Sequence, residues 1–465
     1  MMHPTVEFDP DLIARMSQRG PRYTSYPTAD RFTGGFGAED FKAAASTRAA
    51  GAPLSLYVHV PFCESLCYYC ACNKIVTRDH AKAETYLGYL KREIDVQSAL
   101  FGEAGAVQQL HIGGGTPTYL SDAQMGELMT HIRSRFGFAP AEDGEYSIEI
   151  DPRTADAERI RSLRRQGFNR LSLGVQDFDE DVQRAVNRLQ PEALTIDAIA
   201  AAREAGFRSV SIDLIYGLPL QDTSTMARTL DKVVAASPDR ISVYNYAHMP
   251  QLFKSQRLIR DEELPDGATR LAMLGLCIER LGAAGYVYIG MDHFAKPDDE
   301  LARAQRDGTL HRNFQGYSTR AELDMVACGV SAISAVNGCY GQNEKSLAAY
   351  YARLDRGELP IARGLALSDE DRLRREAIQR LMCDFALDLD ALADRWHLGA
   401  ADYFAPELAQ LAQLERDGLL ELGAGRVRVS AKGRLLIRNI CMVFDGHIGK
   451  PAAVPLQRAQ YSRTI

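Results

Sequence analysis

The chain has 465 residues, 46% hydrophobic and 25% charged, enough to bury a sizeable core in a soluble globular protein of two or three domains. A net charge of −7 gives no support for nucleic acid as a main partner, although an anionic small molecule needs only a local basic patch. No apolar run approaches the ~20 residues of a membrane span, and "MMHPTVEFDPDLIARMSQRG" lacks a basic region followed by an apolar one, so a cytoplasmic location is expected.

Residues 1–50 form an arm in which "RGPRYTSYPTADRF" is too polar and turn-rich for a barrel strand. From about residue 55, β-branched and aromatic runs alternate with amphipathic segments. Strands are expected at "LYVHV" (56–60), "QLHI" (109–112), "YSIEI" (146–150), "RLSLG" (170–174), "SVSIDL" (209–214) and "ISVYNY" (241–246). Ser121 to Gln124 read as a capping box that opens one intervening helix. "QGFNRLSLG", "AGFRSVSID" and "AGYVYIG" form a faint repeat, each placing glycine and an aromatic residue just before a strand. Repeated βα units imply a parallel sheet, and six strands rather than eight imply an incomplete (β/α)6-type barrel.

Residues 298–345 are mixed. From Leu367 the pattern turns helical, in "SDEDRLRREAIQRLMC", "DLDALADRWHL" and "YFAPELAQLAQLERDG", and ends in a hairpin, "LLELGAGRVRVS", turning at Gly423 and Gly425. Three helices and a β-wing resemble a winged-helix module, a shape that does not by itself fix function. The expected division is an N-terminal arm over the active site (1–50), an α/β catalytic barrel with its extension (51–345) and a mostly helical C-terminal domain (346–465).

Four of nine cysteines, Cys63, Cys67, Cys70 and Cys72, fall within ten residues just past the first strand. In a parallel barrel the loops at strand C-termini build the active site. In a reducing compartment such crowding reads as metal-binding. Zinc usually draws its ligands as pairs from two places, and no second Cys/His pair with that spacing exists. Cys70 and Cys72 are one residue apart, so three ligands on one cluster are easier to arrange than four. The scattered Cys277, Cys328, Cys339, Cys383 and Cys441 are expected to pack as small hydrophobes. Gly113, Gly114 and Gly115 follow the second strand and would let a ligand approach the backbone closely, although the run is not the dinucleotide pattern G-x-G-x-x-G. Glu149 and Asp213, late in their strands, could each accept a hydrogen bond from an ammonium or a ribose hydroxyl.

The Cys-x3-Cys-x2-Cys spacing is the signature of the radical S-adenosylmethionine enzymes. Extended to "CESLCYYCACNKIVTR", the segment resembles the family of oxygen-independent coproporphyrinogen III oxidases. The likeness continues through "HIGGGTPTYL", "SIEIDPRT", "GFNRLSLGVQDF", "IDLIYGLP", "NYAHMP", "IGMDHFAKPDDELA", "LHRNFQGY" and "GRLLIRNICM", nearly the whole chain. The resemblance implies one [4Fe-4S] cluster on Cys63, Cys67 and Cys70, with Cys72 left over and one iron open to S-adenosylmethionine. It implies two S-adenosylmethionine molecules, one near Tyr57, Gly114, Glu149 and Ile333. The second would lie near Tyr69, Gly115, Thr116, Gln176, Arg188, Asp213 and Ala247. The family has Phe where this chain has Tyr69, a change that keeps an aromatic face.

The implied reaction converts two propionates of coproporphyrinogen III to vinyl groups through a 5′-deoxyadenosyl radical, giving protoporphyrinogen IX for haem biosynthesis. The implied partners are that substrate, a one-electron donor and an electron acceptor, with no nucleic acid, no membrane span and a monomeric state. Propionates want cationic or hydroxyl donors, so Arg22, Tyr23 and Tyr26 of the arm, with His311, Arg312 and Cys72, are candidate substrate contacts. A haem-binding chaperone of the same superfamily is the alternative, but it would be expected to lack Cys72, the "NKIVTR" tail and "GRLLIRNICM". A DNA-binding regulator would want a basic recognition helix, which "YFAPELAQLAQLERDG" does not supply.

Overall fold

Each of the six expected strands is present, the first five longer by one to four residues and the sixth shifted by one: β1 (Leu54–Val60), β2 (Val107–Gly114), β3 (Glu145–Ile150), β4 (Arg170–Gln176), β5 (Ser209–Tyr216) and β6 (Arg240–Asn245). The computed structural model describes residues 6–102, 104–320 and 323–450. Crossover helices α1 (Ala81–Leu100), α2 (Asp122–Arg135), α3 (Ala157–Arg165), α4 (Glu192–Glu204) and α5 (Thr223–Ala236) separate the strands, which pair in parallel in chain order. Ser121 caps α2 by accepting from Gln124 N while the Gln124 side chain reaches back, as the capping box requires.

A seventh parallel strand, β7 (Asp324–Cys328), pairs with the free side of β1. Antiparallel β8 (Ile333–Val336), β9 (Cys339–Asn343) and β10 (Ile361–Ala366) then extend the sheet to the order β10-β9-β8-β7-β1-β2-β3-β4-β5-β6. Among the described residues no pairing joins β6 back to β1, so the barrel is incomplete.

The two-residue period of the middle strands decides where chemistry can occur. On β5, Val210, Ile212, Leu214 and Tyr216 are buried, whereas Ser211 and Asp213 alternate with them and are only half-buried. On β3 and β4 the same alternation sets Ser147, Glu149, Ser172, Gly174 and Gln176 apart from the apolar residues. Register aligns Glu149 with Ser172 and Gly174 with Asp213, so one face of the sheet carries a contiguous polar surface.

The chain divides into two compact units at boundaries other than those expected. The first is Phe32–Pro265 with Glu322–Ala366; the second gathers the described residues of Met1–Arg31, Asp266–Ala321 and Leu367–Ile465. The expected arm is thus split, because Thr33 bridges to Gly364 of β10 and the helix Ala38–Ser46 packs on β9, tying residues after Arg31 to the sheet. "AGYVYIG" does form a strand, Val287–Gly290, but it makes an antiparallel hairpin with His293–Ala295 inside the second unit. Residues 1–5 and 451–465 of the expected end domains lie outside the described residues.

The second unit has the expected C-terminal helices, Asp369–Asp384, Leu389–Arg395 and Ala405–Arg416. Its wing of Leu420–Gly423 and Arg426–Val429 turns through Ala424 and Gly425, both with positive φ. Ala386–Asp388 adds a third strand, unseen in the sequence. The scattered cysteines Cys277, Cys328, Cys339, Cys383 and Cys441 are all buried.

Candidate active site

After β1 the chain makes a two-residue strand, Phe62–Cys63, paired in parallel with Ile75–Val76, so residues 64–74 stand out as a closed loop. Neighbouring segments of the same unit hold that loop. Tyr68 N donates to Val186 O at 3.0 Å, and Asn187 Nδ2 to Leu66 O at 2.8 Å. Ser255 Oγ donates to Cys70 O at 3.1 Å, and the buried Gln256 donates through Nε2 to Tyr69 O and Ala247 O at 2.9 and 3.2 Å.

A cavity of about 350 Å³ opens on the loop. Cys63, Cys67, Cys70 and Cys72 line it together with Tyr69, Gly114, Gly115, Thr116, Glu149, Gln176, Arg188 and Asp213. Most of the residues selected from the sequence therefore meet in one place. Tyr57, Ala247 and Ile333 do not line it. Tyr57 stacks on His111 at 5.9 Å, Ala247 is tied to the cysteine loop through Gln256, and Ile333 pairs with Gln342 in β8.

The thiols differ sharply in environment. Burial pushes Cys63 up to about 11, although Thr116 Oγ1 donates to its sulfur at 3.5 Å. The Cys72 thiol, hydrogen-bonded to Cys70 with Lys74 nearby, draws Cys70 down to about 6, while Cys72 itself is raised well above the thiol range. Cys67 accepts from two arginines, Arg188 Nη1 at 3.5 Å and Arg153 Nη2 at 3.7 Å. Asp151 holds both guanidinium groups, at 3.0 Å for Arg188 and 2.6 Å for Arg153. Burial works against the Asp151 charge, but the two arginines outweigh it and keep the carboxyl below its usual range.

Among the described residues no three His, Cys, Asp or Glu side chains converge where one metal ion would sit. Cys63, Cys67 and Cys70 stand instead around the cavity, each with its own polar donor nearby. Donors near sulfur suit thiolates bound to iron, so these thiols fit an iron–sulfur cluster.

The triple glycine is required by close approach. A Cβ on Gly113 would lie 2.8 Å from Glu149 Cδ, one on Gly114 2.7 Å from the His59 ring, and one on Gly115 2.7 Å from Phe62 O. Gly115 N and Thr116 N bond to Val60 O and Phe62 O, both at 2.8 Å, so the turn is laced to the cysteine loop. Glu149 accepts from Gly114 N at 3.2 Å and from His111 Nε2 at 3.0 Å. Burial opposes its charge, yet those two donors hold it below the ordinary carboxylate range. Asp213 goes the other way: burial and the nearby Glu149 push it up to about 7. Gln176 sits at a register shift in β4 with φ of 70°, a strained backbone that turns its side chain toward the cavity.

The Radical SAM superfamily model matches residues 57–233, and the HemN C-terminal domain model matches residues 367–436. The chain is 49% identical over 462 residues to the oxygen-independent coproporphyrinogen III oxidase of Pseudomonas aeruginosa, covering 99% of each. With the Escherichia coli enzyme of that name the identity is 50% over 461 residues, again 99% of each. This chain belongs to the oxygen-independent coproporphyrinogen III oxidase family. The solved structure of the Escherichia coli family member, titled a radical SAM enzyme, superposes with a TM-score of 0.91 over 96% of this chain and 100% of that one.

In this member of the oxidase family, the other sequence candidates belong to the second unit. Tyr23 donates to Asp445 Oδ2 at 3.0 Å, and the Tyr26 hydroxyl accepts from Gly446 N at 2.9 Å. Arg22 approaches Asp292 at 3.8 Å, and His311 and Arg312 lie in the hairpin His311–Asn313/Gly316–Ser318. Sequence reasoning missed His111, Asp151 and Arg153. All three lie inside the quoted motifs "HIGGGTPTYL" and "SIEIDPRT", but their roles depend on cross-strand register and loop packing.

Proposed function

We propose that this chain oxidatively decarboxylates two propionate side chains of coproporphyrinogen III to vinyl groups without oxygen, giving protoporphyrinogen IX. The observation that carries the reading is identity near 50% over 99% of the chain to enzymes of that name, joined to a cavity lined by four thiols, a glycine turn and the carboxylates of Glu149 and Asp213 among others. When bound, a [4Fe-4S] cluster with S-adenosylmethionine would supply the one-electron chemistry needed to take hydrogen from an unactivated propionate β-carbon. Cys63, Cys67 and Cys70 would hold three irons, and Cys72, hydrogen-bonded to Cys70, would not be a ligand. Glu149, kept ionised by His111 and Gly114, accepts from the cofactor's ammonium. Gly114 and Gly115 let its backbone-like portion approach, and Tyr57 supports that site by stacking on His111, which donates to Glu149.

A second S-adenosylmethionine is assigned to Tyr69, Gly115, Thr116, Gln176, Arg188, Asp213 and Ala247. Asp213, with a carboxyl raised to about 7, is suited to share a proton with a ribose hydroxyl or an ammonium. A separate one-electron donor and acceptor serve the enzyme, which works as a cytoplasmic monomer.

The deciding experiment is anaerobic reconstitution followed by incubation with S-adenosylmethionine, a reductant and coproporphyrinogen III. Formation of 5′-deoxyadenosine and a vinyl product is expected; absence of both sinks the assignment. In the same preparation Cys72→Ser should retain the wild-type iron and sulfide content. Cys63→Ser, Cys67→Ser or Cys70→Ser should lose the intact cluster.

A further inference from the structure

Three arginines from distant segments of the second unit meet around one turn of backbone. Gly290, Met291 and Asp292 have φ of 137°, 41° and 69°, three successive left-handed residues that end the strand and present Asp292 and His293. Arg22 Nη1 approaches Asp292 Oδ2 at 3.8 Å. Arg312 and Arg438, only 4% and 3% exposed, also lie close enough to act on that carboxylate.

These groups do not all satisfy one another. Arg438 spends donors on the carbonyls of Pro21, at 2.9 Å, and Gly20, which bear no charge. The Arg312 guanidinium lies 4.7 Å over the Tyr317 ring, and its Nε and Nη1 are buried with no hydrogen-bond partner among the described residues. An orphaned guanidinium donor in the interior is costly, so its persistence points to a missing acceptor. His293 does not supply one by charge. Its Nδ1–H donates to Met291 O at 2.6 Å, its ring meets Tyr317 edge-on at 5.3 Å, and burial with Arg312 nearby lowers it to about 3, so it is neutral. The local balance is cationic: burial and Arg22 draw even Arg438 down to about 10 despite Asp292.

A planar anion with two oxygens answers both needs, because it brings negative charge and accepts from a guanidinium edge in pairs. We propose that Arg312, flanked by Arg22 and Arg438, forms a carboxylate-binding site that takes a propionate of the tetrapyrrole. This deepens the functional reading above and rests on it. Tyr23 and Tyr26 are occupied by Asp445 and Gly446, and His311 is lowered to about 4 by burial and Arg375, so none of these three belongs to the site.

The test is equilibrium binding of coproporphyrin III, the air-stable oxidised form of the substrate, and of its tetramethyl ester, to the reconstituted full-length chain. Wild type should prefer the acid by at least about tenfold, the worth of one charge-assisted hydrogen bond. Arg312→Gln should lose that preference with an unchanged thermal midpoint, and Arg312→Lys should recover part of it. Arg22 is partly exposed, so Arg22→Gln gives a second variant with little risk to folding and should weaken the preference. Full acid preference in both glutamine variants would overturn the site, as would a wild type that binds acid and ester equally. A wild type that binds neither porphyrin would overturn the substrate assignment itself, and this site with it.

Discussion

Cys67 shows how far single residues govern the cavity. Its sulfur accepts from Arg188 and Arg153, both steadied by Asp151, and the Tyr69 hydroxyl lies beside it. Donors on a ligand sulfur draw electron density from a cluster and so favour its reduced form. Arg153→Gln removes one donor and leaves the three cysteines untouched. The expected result is full iron content with a lower midpoint potential, read by electron paramagnetic resonance during a redox titration. An unmoved potential would make Arg153 a structural partner of Asp151 and nothing more. The cysteines were legible from spacing, and Glu149 and Asp213 from their late places in strands. Arg153 was not, since an arginine three residues past a strand usually faces solvent. Only the short helix Pro152–Thr154 turns it back onto Asp151 and Cys67.

Among the elements, the parallel strands were the most readable part of the fold because each is long and apolar on the side that meets the crossover helices. Strands β7 to β10 were hidden for a physical reason. They are four to six residues long, and β9 reads Cys-Tyr-Gly-Gln-Asn, fully buried yet without an apolar pattern. What holds them is a buried carboxylate. Glu93 of α1 accepts from Gly329 N and Asn343 Nδ2, both at 2.6 Å, and from the Tyr350 hydroxyl at 2.5 Å. On the same helix Tyr86 donates to His59 O at 2.7 Å and accepts from Val330 N at 3.1 Å, which ties the latch to the strand that enters the cysteine loop. Burial pushes Glu93 up to about 7, above its ordinary 4.5, despite those three donors. The folded state therefore keeps a proton that the unfolded chain releases. The resulting stability is fully present below pH 4.5 and is lost as pH rises to about 7. Its size is a few kcal/mol at most, at about 1.4 kcal/mol per pH unit. Glu93→Gln cannot titrate, so its stability deficit relative to wild type should shrink over that window. Urea midpoints at pH 5 and pH 7 measure it, and a constant deficit would show that Glu93 does not titrate there.

The whole molecule departs most from a linear reading in where its N-terminal segment belongs. The sequence suggested an arm over the active site, since "RGPRYTSYPTADRF" is polar and rich in turns. Residues 6–31 instead belong to the second unit and bond to residues about four hundred positions further along the chain. Asn439 Nδ2 donates to Met16 O at 2.8 Å, Lys432 pairs with Asp9 at 2.9 Å, and Tyr23 bonds Asp445 at 3.0 Å. The buried Arg438 depends on the carbonyls of Gly20 and Pro21. Periodicity cannot reveal such pairings, because they join backbone carbonyls to side chains at very long sequence separation. Removing residues 1–31 would leave Arg438 charged and deprived of those acceptors, a loss of roughly 3 kcal/mol or more. Other arm contacts would be lost with it. The first unit keeps its sheet and its cysteine loop, since their bonds lie within Phe32–Pro265 and Glu322–Ala366. Hydrogen exchange on the shortened chain should therefore show lost protection in the helix Ile437–Val443 and undiminished protection in β1 and β2. Equal loss in both units would mean that the arm stabilises the chain as one cooperative block. No loss in Ile437–Val443 would mean that its contacts there contribute little.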